Sequence, residues 1–198
     1  DACDKLRYLA LTDAGMLGED GAFAITLTTD AKARTLTISD NGIGMDRDEL
    51  IANLGTIARS GTSAFLGELS GDAKKDTNLI GQFGVGFYSA FMVAEKVEVL
   101  TRKAGEDAAW LWVSDGRGDF TIQQSEKAGR GTLITLYLRE GNEEYLEADR
   151  LRQIVKRYSD HIAIPIRLAD GDKVETLNRA SALWTRSKSE IKPEEYKE

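Results

Sequence analysis

Three glycine-bearing strings hold the residues whose types and spacing could do chemistry. The first is Ser39-Asp40-Asn41-Gly42-Ile43-Gly44-Met45. Taken alone, its Asn-Gly pair reads as a hairpin turn. The segment that follows is patterned as a helix, so the string also reads as strand, tight turn, helix. Such a turn brings a carboxylate and bare backbone close to a ligand. Asp40 carries acceptors only, and in a half-buried pocket its charge needs donors. An exocyclic amine, as on adenine, would supply one, and Gly44 would let the base approach with no Cβ in the way. The second string is Gly81-Gln82-Phe83-Gly84-Val85-Gly86-Phe87. It reads either as a linker before a helix or as a loop whose N–H groups converge on an anion beside a helix start. The third, Gly129-Arg130-Gly131-Thr132, reads as a β-turn before an alternating strand. In combination with the others, Thr132 is a candidate hydroxyl at a pocket floor.

Other chemistries are thinly supplied. No G-x-x-x-x-G-K-[ST] phosphate loop occurs, because Phe87 and Tyr88 follow Gly86. The G-x-G-x-x-G dinucleotide fingerprint fails too, since the order here is G-x-x-G-x-G and Asp76-Thr77-Asn78 before it does not read as a strand. His161 is the single histidine and Cys3 the single cysteine. Neither has companions for a zinc site or for Ser-His or Cys-His catalysis, so they read as a helix-end histidine and a small helix residue. Arg150, Arg152, Lys156 and Arg157 alternate with acids and read as a solvated helix face.

The elements that must position these strings can be read from periodicity. Asp1–Ala14 is patterned as a helix, with Ala2, Leu6, Leu9 and Ala10 on one face. Phe23–Thr29 and Arg34–Ser39 alternate as a strand pair. Asp46-Arg47-Asp48-Glu49 resembles a capping box, with Leu50, Ile51, Leu54 and Ile57 behind it. Gly61–Leu69 reads as a short helix or ordered loop, and Ser70–Asn78 as a polar, mobile stretch. A helix is expected from the glycine loop to Met92. Strands are expected at Lys96–Arg102, Ala109–Val113, Phe120–Gln124, Thr132–Arg139 and Ile164–Leu168, with Lys173–Thr176 pairing to the last. Asn142 is a candidate cap for a helix to about Tyr158. Strands segregated from helices imply an α+β, two-layer sandwich with helices on one face of a mostly antiparallel sheet.

Composition sets outer limits. The 198 residues suffice for one large domain or two small ones, with one favoured. A formal net charge of −7 argues against a bulk electrostatic grip on nucleic acid or an anionic membrane. No apolar run approaches the ~18 residues of a membrane span. One cysteine gives no internal disulfide framework, which fits a reducing cytoplasm. Glycines number 19, and nine of them fall between Gly42 and Gly86. Clustering of that kind without proline indicates specific backbone geometry.

The three strings, in this order, resemble the ATP-binding fold shared by DNA gyrase B, MutL-type repair proteins, sensor histidine kinases and the heat-shock protein 90 chaperones. Longer strings decide among them. Asn53-Leu54-Gly55-Thr56-Ile57-Ala58-Arg59-Ser60-Gly61-Thr62 is similar to the chaperone family's lid segment. Gly81 to Phe91, Ala2 to Tyr8 and Tyr158 to Ile162 match that family as well. Ala182-Leu183-Trp184-Thr185-Arg186 follows without a long charged linker, as in the family's bacterial form. The resemblance covers essentially the whole chain. It implies ATP or ADP as ligand, with Asp40 accepting from the adenine amino group and Gly44 and Met45 lining the base. It places Asn53 at ribose or phosphate, Arg59 reaching in from the lid, and Gly84, Val85, Gly86 and Phe87 cradling phosphates. Thr132 would join the Asp40 network. Arg59 stands where the family more often has Lys, a fork in place of a point charge. The lid, roughly Gly55 to Gly86, would close over nucleotide.

The resemblance also implies what this sequence does not carry. The family's water-orienting glutamate and its Mg2+-holding asparagine are expected upstream of Asp1, with the first helix and strand. No catalytic residue and no metal ligand is therefore assigned within this chain. Residues 1–181 read as the ATP-binding domain and 182–198 as a connector to the next. The expected protein is a cytoplasmic, ATP-hydrolysing, homodimeric chaperone acting on client proteins, and the fragment alone a weak, monomeric nucleotide binder without turnover. A gyrase B, MutL or histidine-kinase module is the alternative, and a non-enzymatic adenine-binding module a third.

Overall fold

In the computed structural model the described residues are 1–18, 22–55 and 86–179. Eight strands form one sheet: β1 (Ile25–Asp30), β2 (Thr35–Asp40), β3 (Ala94–Arg102), β4 (Ala109–Ser114), β5 (Phe120–Ser125), β6 (Gly131–Leu138), β7 (Ile166–Asp170) and β8 (Lys173–Thr176). Their spatial order is β5-β4-β3-β6-β2-β1-β7-β8. Every neighbouring pair is antiparallel except β1 with β7. The helices are α1 (Ala2–Leu9), α2 (Arg47–Leu54), α3 (Ala90–Val93) and α4 (Ala148–Tyr158). This is the α+β sandwich expected from the sequence. Among the described residues no helix is long and apolar enough to cross a membrane.

Alternation decides the layering. Leu27, Leu36, Val97, Val99, Trp112, Leu136 and Leu168 are buried on one sheet face, and Leu50, Leu54, Leu151 and Val155 of α2 and α4 join them in one core. Trp112 is packed between the rings of Phe87 (5.5 Å, edge-on) and Phe120 (6.0 Å, stacked). A smaller cluster of Leu6, Ile43 and Ala104, with Ala2 and Leu9 against it, seats α1 on the turn after β2.

Several boundaries differ from the sequence reading, each for a local reason. The first helix stops at Leu9, and a turn leads to a 3-10 segment at Ala14–Leu17 whose start is capped by the Asp13 side chain. β1 starts at Ile25 because the Ala24 amide donates to Asn41 Oδ1 (2.9 Å) rather than to a neighbouring strand. The expected single helix to Met92 is a 3-10 turn, Phe87–Ser89, followed by α3. Asn142 makes no side-chain cap; a 3-10 turn at Glu143–Leu146 precedes α4, which begins after Glu147. The exposed basic face of α4 is laced by Arg152 with Asp149 (2.6 Å) and Glu175 (2.8 Å).

The capping box is present as read. Asp46 Oδ1 accepts from the Glu49 amide (2.8 Å), and Glu49 Oε2 accepts from the Asp46 amide (3.1 Å). Lys103, just beyond β3, adds bonds to Asp46 (2.6 Å) and Glu49 (3.1 Å), which fixes the start of α2 to the sheet. Burial works against the Asp46 charge, but the Lys103 ammonium and the Glu49 amide outweigh it and hold the carboxyl below its ordinary 3.8. A lowered carboxyl adds stability above its unfolded pKa and loses it as pH falls through the folded one. Asp46→Ala is expected to cost about 1–2 kcal/mol at pH 7, read by urea unfolding, and to flatten the loss of stability below pH 4.

Candidate functional site

Asp40 ends β2 in a cross-strand row with Ile25 of β1, Thr132 of β6 and, one strand further, Thr101 of β3. Strand alternation puts this row on the helix-bearing face. The Asp40 carboxylate accepts from the Gly42 amide (2.8 Å). Burial pushes its pKa up from 3.8, while the Gly42 and Thr132 amides, and Lys127 at longer range, pull it back. The Thr132 and Thr101 hydroxyls share a hydrogen bond (3.1 Å), and Thr101 Oγ1 accepts from the Met45 amide (2.9 Å). Met45 Sδ lies 3.9 Å from Asn53 Nδ2 on α2. Asp40, Thr132, Met45 and Asn53 are thus brought together through one buried polar row.

Thr101 belongs to this group, and sequence reasoning alone passes over it. It is fully buried and links Met45 to Thr132. Its signal is a hydroxyl ending the buried alternation Val97, Val99, Thr101 where an aliphatic residue is due.

Gly44 carries a packing demand that its sequence context does not show. Its φ is +68°, and a Cβ there would overlap the Arg102 carbonyl oxygen and come within 2.6 Å of the Arg102 carbonyl carbon. The glycine is required by backbone packing against the end of β3, which holds the Asp40–Met45 turn in place. Gly42 is similarly pressed on α1: its added Cβ would be 2.7 Å from the Ala2 carbonyl carbon. Ile43 closes both sides, donating to Ala2 O (3.2 Å) and accepting from Ala104 N (2.7 Å). The start of α1 therefore borders the turn, and burial, with the Asp40 charge second, pushes the Cys3 thiol up to about 12. Cys3 is protonated and enclosed, as its helix-residue reading requires.

Gly86 and Phe87 stand at the start of the second helical segment. Gly86 has an ordinary φ of −61°, and an added Cβ would meet nothing within 4 Å. Its backbone is exposed, as an anion cradle needs. The Phe87 ring, by contrast, is a core element against Trp112 and Phe91. Tyr88 Oη donates to Leu54 O (3.0 Å) and ties this turn to the end of α2. Arg59, Gly84, Val85, Ile57 and the body of the expected lid lie outside the described residues. Among the described residues no group of three or more His, Cys, Asp or Glu side chains is placed to hold a metal ion. His161 is exposed near the end of α4.

The geometry is a helix-backed, mostly antiparallel sheet with a carboxylate at a strand–turn–helix corner and an exposed glycine at the start of a second helical segment. Residues 20–127 match the family described as histidine kinase-, DNA gyrase B-, and HSP90-like ATPase, and the chain belongs to it. The whole chain is 67% identical to "Chaperone protein HtpG" of Paramagnetospirillum magneticum, 61% to that of Rhodospirillum rubrum and 57% to that of Roseobacter denitrificans. It spans about a third of the length of these curated relatives, 32%, 32% and 31%.

The two glycines differ in packing: Gly44 is pressed on backbone, and Gly86 faces open space. Gly44→Ala is expected to destabilise the fold by roughly 2–4 kcal/mol through overlap and left-handed strain. Gly86→Ala is expected to leave the thermal midpoint within about 2 °C of the parent chain and to weaken adenine-nucleotide binding at least fivefold. Differential scanning fluorimetry with and without ADP checks both.

Proposed function

We propose that the chain is the ATP-binding part of a bacterial chaperone that hydrolyses ATP while assisting the folding of client proteins. The observation that carries this reading is Asp40, a half-buried carboxylate held by the Gly42 and Thr132 amides on the floor of the helix-bearing face. Such a group offers acceptors only, and it recognises an amine donor such as the adenine 6-amino group. Gly44 and Met45 then shape the wall beside the base. Asn53 reaches ribose or phosphate, and Thr132 completes the acceptor network through its bond to Thr101. The phosphate chain runs to the Gly84–Phe87 backbone and Arg59, under a lid from about Gly55 to Gly86. The overall charge of −7 is no obstacle, because backbone N–H groups at one spot hold the anion.

Residues 1–181 form the nucleotide domain in this reading, and 182–198 lead towards the next one. The relatives' name supports the chaperone assignment over a gyrase, MutL or kinase module. In the longer protein we place the water-orienting glutamate and the Mg2+ ligand before Asp1, with homodimers in the cytoplasm as the working form.

Asp40→Asn tests the reading directly. The amide turns N–H groups toward an amine donor, at roughly 1–3 kcal/mol, or about 5- to 150-fold in affinity for ADP. Fold stability moves the other way. Burial raises the Asp40 pKa, so ionisation costs stability once pH exceeds 3.8, and the cost is complete above the raised folded value. Asp40→Asn is therefore expected to keep or raise the thermal midpoint at pH 7 while calorimetry records lost ADP binding. Unchanged affinity would count against the assignment. A phosphate-release assay is expected to find no ATP turnover from this chain alone and turnover from the longer protein.

A further inference from the structure

The two edges of the sheet are built differently. At one end β8 is four residues long and carries Lys173 and Glu175. Short length and charge of this kind blunt an edge against further pairing. At the other end β5 runs Phe120-Thr121-Ile122-Gln123-Gln124-Ser125, with no charge and no proline. It pairs with β4 over all six residues without a bulge. In an antiparallel pair alternate residues direct their N–H and C=O away from the neighbouring strand. On β5 those groups face outward, and among the described residues no strand takes them up.

Side chains give this edge a pattern. Ile122 lies opposite Trp112 and packs against the core. The Phe120 ring stacks on Trp112 yet is 37% exposed. Thr121, Gln123 and Ser125 alternate onto the other face. Asp119 and Glu126 bracket the strand, both exposed, and neither carboxylate has an ion-pair partner among the described residues. Arg117 of the preceding turn is taken by Asp115 (3.7 Å), and Lys127 is turned to the Gly129 and Arg130 carbonyls (3.4 and 3.1 Å).

The two carboxylates select the occupant. If a second copy paired its own β5 here in the full antiparallel register, Phe120 against Ser125, then Asp119 would oppose Glu126 at both ends. Like charges directly opposite destabilise a strand pair, and two chains each of net charge −7 repel as well. A strand with a cation at each end meets the reverse condition.

We propose that β5 is a docking edge for an extended polypeptide segment of about eight residues, apolar at alternate positions and with Lys or Arg at both ends. Main-chain hydrogen bonds to β5 hold the segment. Its apolar side chains extend the Phe120–Ile122 row, and its end cations meet Asp119 and Glu126. Three strands separate β5 from β2, so the inference does not depend on the role given to Asp40.

The probe is the capped peptide Lys-Thr-Ile-Thr-Val-Thr-Ile-Lys, titrated into the chain and followed by amide chemical shifts. The expected result is saturable shifts along Phe120–Ser125. Asp119→Asn/Glu126→Gln is expected to weaken them at least fivefold, while the thermal midpoint, the control for folding, is unchanged. Two versions of the peptide, N-methylated at alternate residues, separate strand addition from loose charge attraction. One is expected to bind as the parent peptide does and the other not at all. Equal binding of both versions, binding that survives Asp119→Asn/Glu126→Gln, or no saturable shifts on β5 would overturn the proposal. So would a dimer in sedimentation that the peptide dissociates, because a second copy would then hold the edge. Shifts within residues 56–85 caused by Asp119→Asn/Glu126→Gln without peptide would also overturn it, since the chain would then cover β5 itself.

Discussion

The arrangement depends on holding one carboxylate still where burial disfavours its charge. Asp40 is inside the edge of the sandwich, where burial pushes its pKa up and two backbone amides that point at it favour the charged form and oppose that shift. Those amides come from the turn at Gly42 and from Thr132 on the adjoining strand. The turn must therefore be rigid and the β2–β6 register must be fixed. The structure meets both demands with backbone packing. Gly44 lies on the Arg102 carbonyl, Gly42 lies on the first turn of α1, and a Cβ at Gly131 would overlap the Asp40 carbonyl oxygen. These glycines are backbone contacts that hold the acceptor still.

From that point the polar row extends inward. Thr132 and Thr101 pass the hydrogen-bonding network across to the Met45 amide, and Met45 touches Asn53 on α2. The helix is held at its other end by Asp46, Glu49 and Lys103. A change at either end of α2 is thus felt by the residues that line the proposed base. α1 closes the third side through Ile43 and Cys3.

Much of this is legible in the residues. Alternation locates every strand to within about two residues, and Asp46-Arg47-Asp48-Glu49 marks the start of α2 correctly because a capping box is a local interaction between four neighbours. Asp40, Met45, Asn53 and Thr132 are candidates because their strings occur in a specific order, and the structure places them in one connected group. What escapes is tertiary. The packing demand at Gly44 is hidden because nothing local reveals that Arg102, from a distant strand, lies on it. Thr101 reads as one more strand residue because its partners come from positions 45 and 132. Asn142 reads as a cap because its type favours that role, yet the backbone there turns as a 3-10 segment and its side chain makes no cap bond.

The central claim is that the Asp40 carboxylate reads an amino group on a purine. The most direct measurement compares the calorimetric affinity of the chain for ADP with that for IDP, which has a carbonyl oxygen in place of the 6-amino group. Facing acceptor with acceptor should weaken IDP binding by at least tenfold in the parent chain. In Asp40→Asn, whose amide can donate, the gap should shrink. Equal affinity of the parent chain for the two nucleotides would contradict the account.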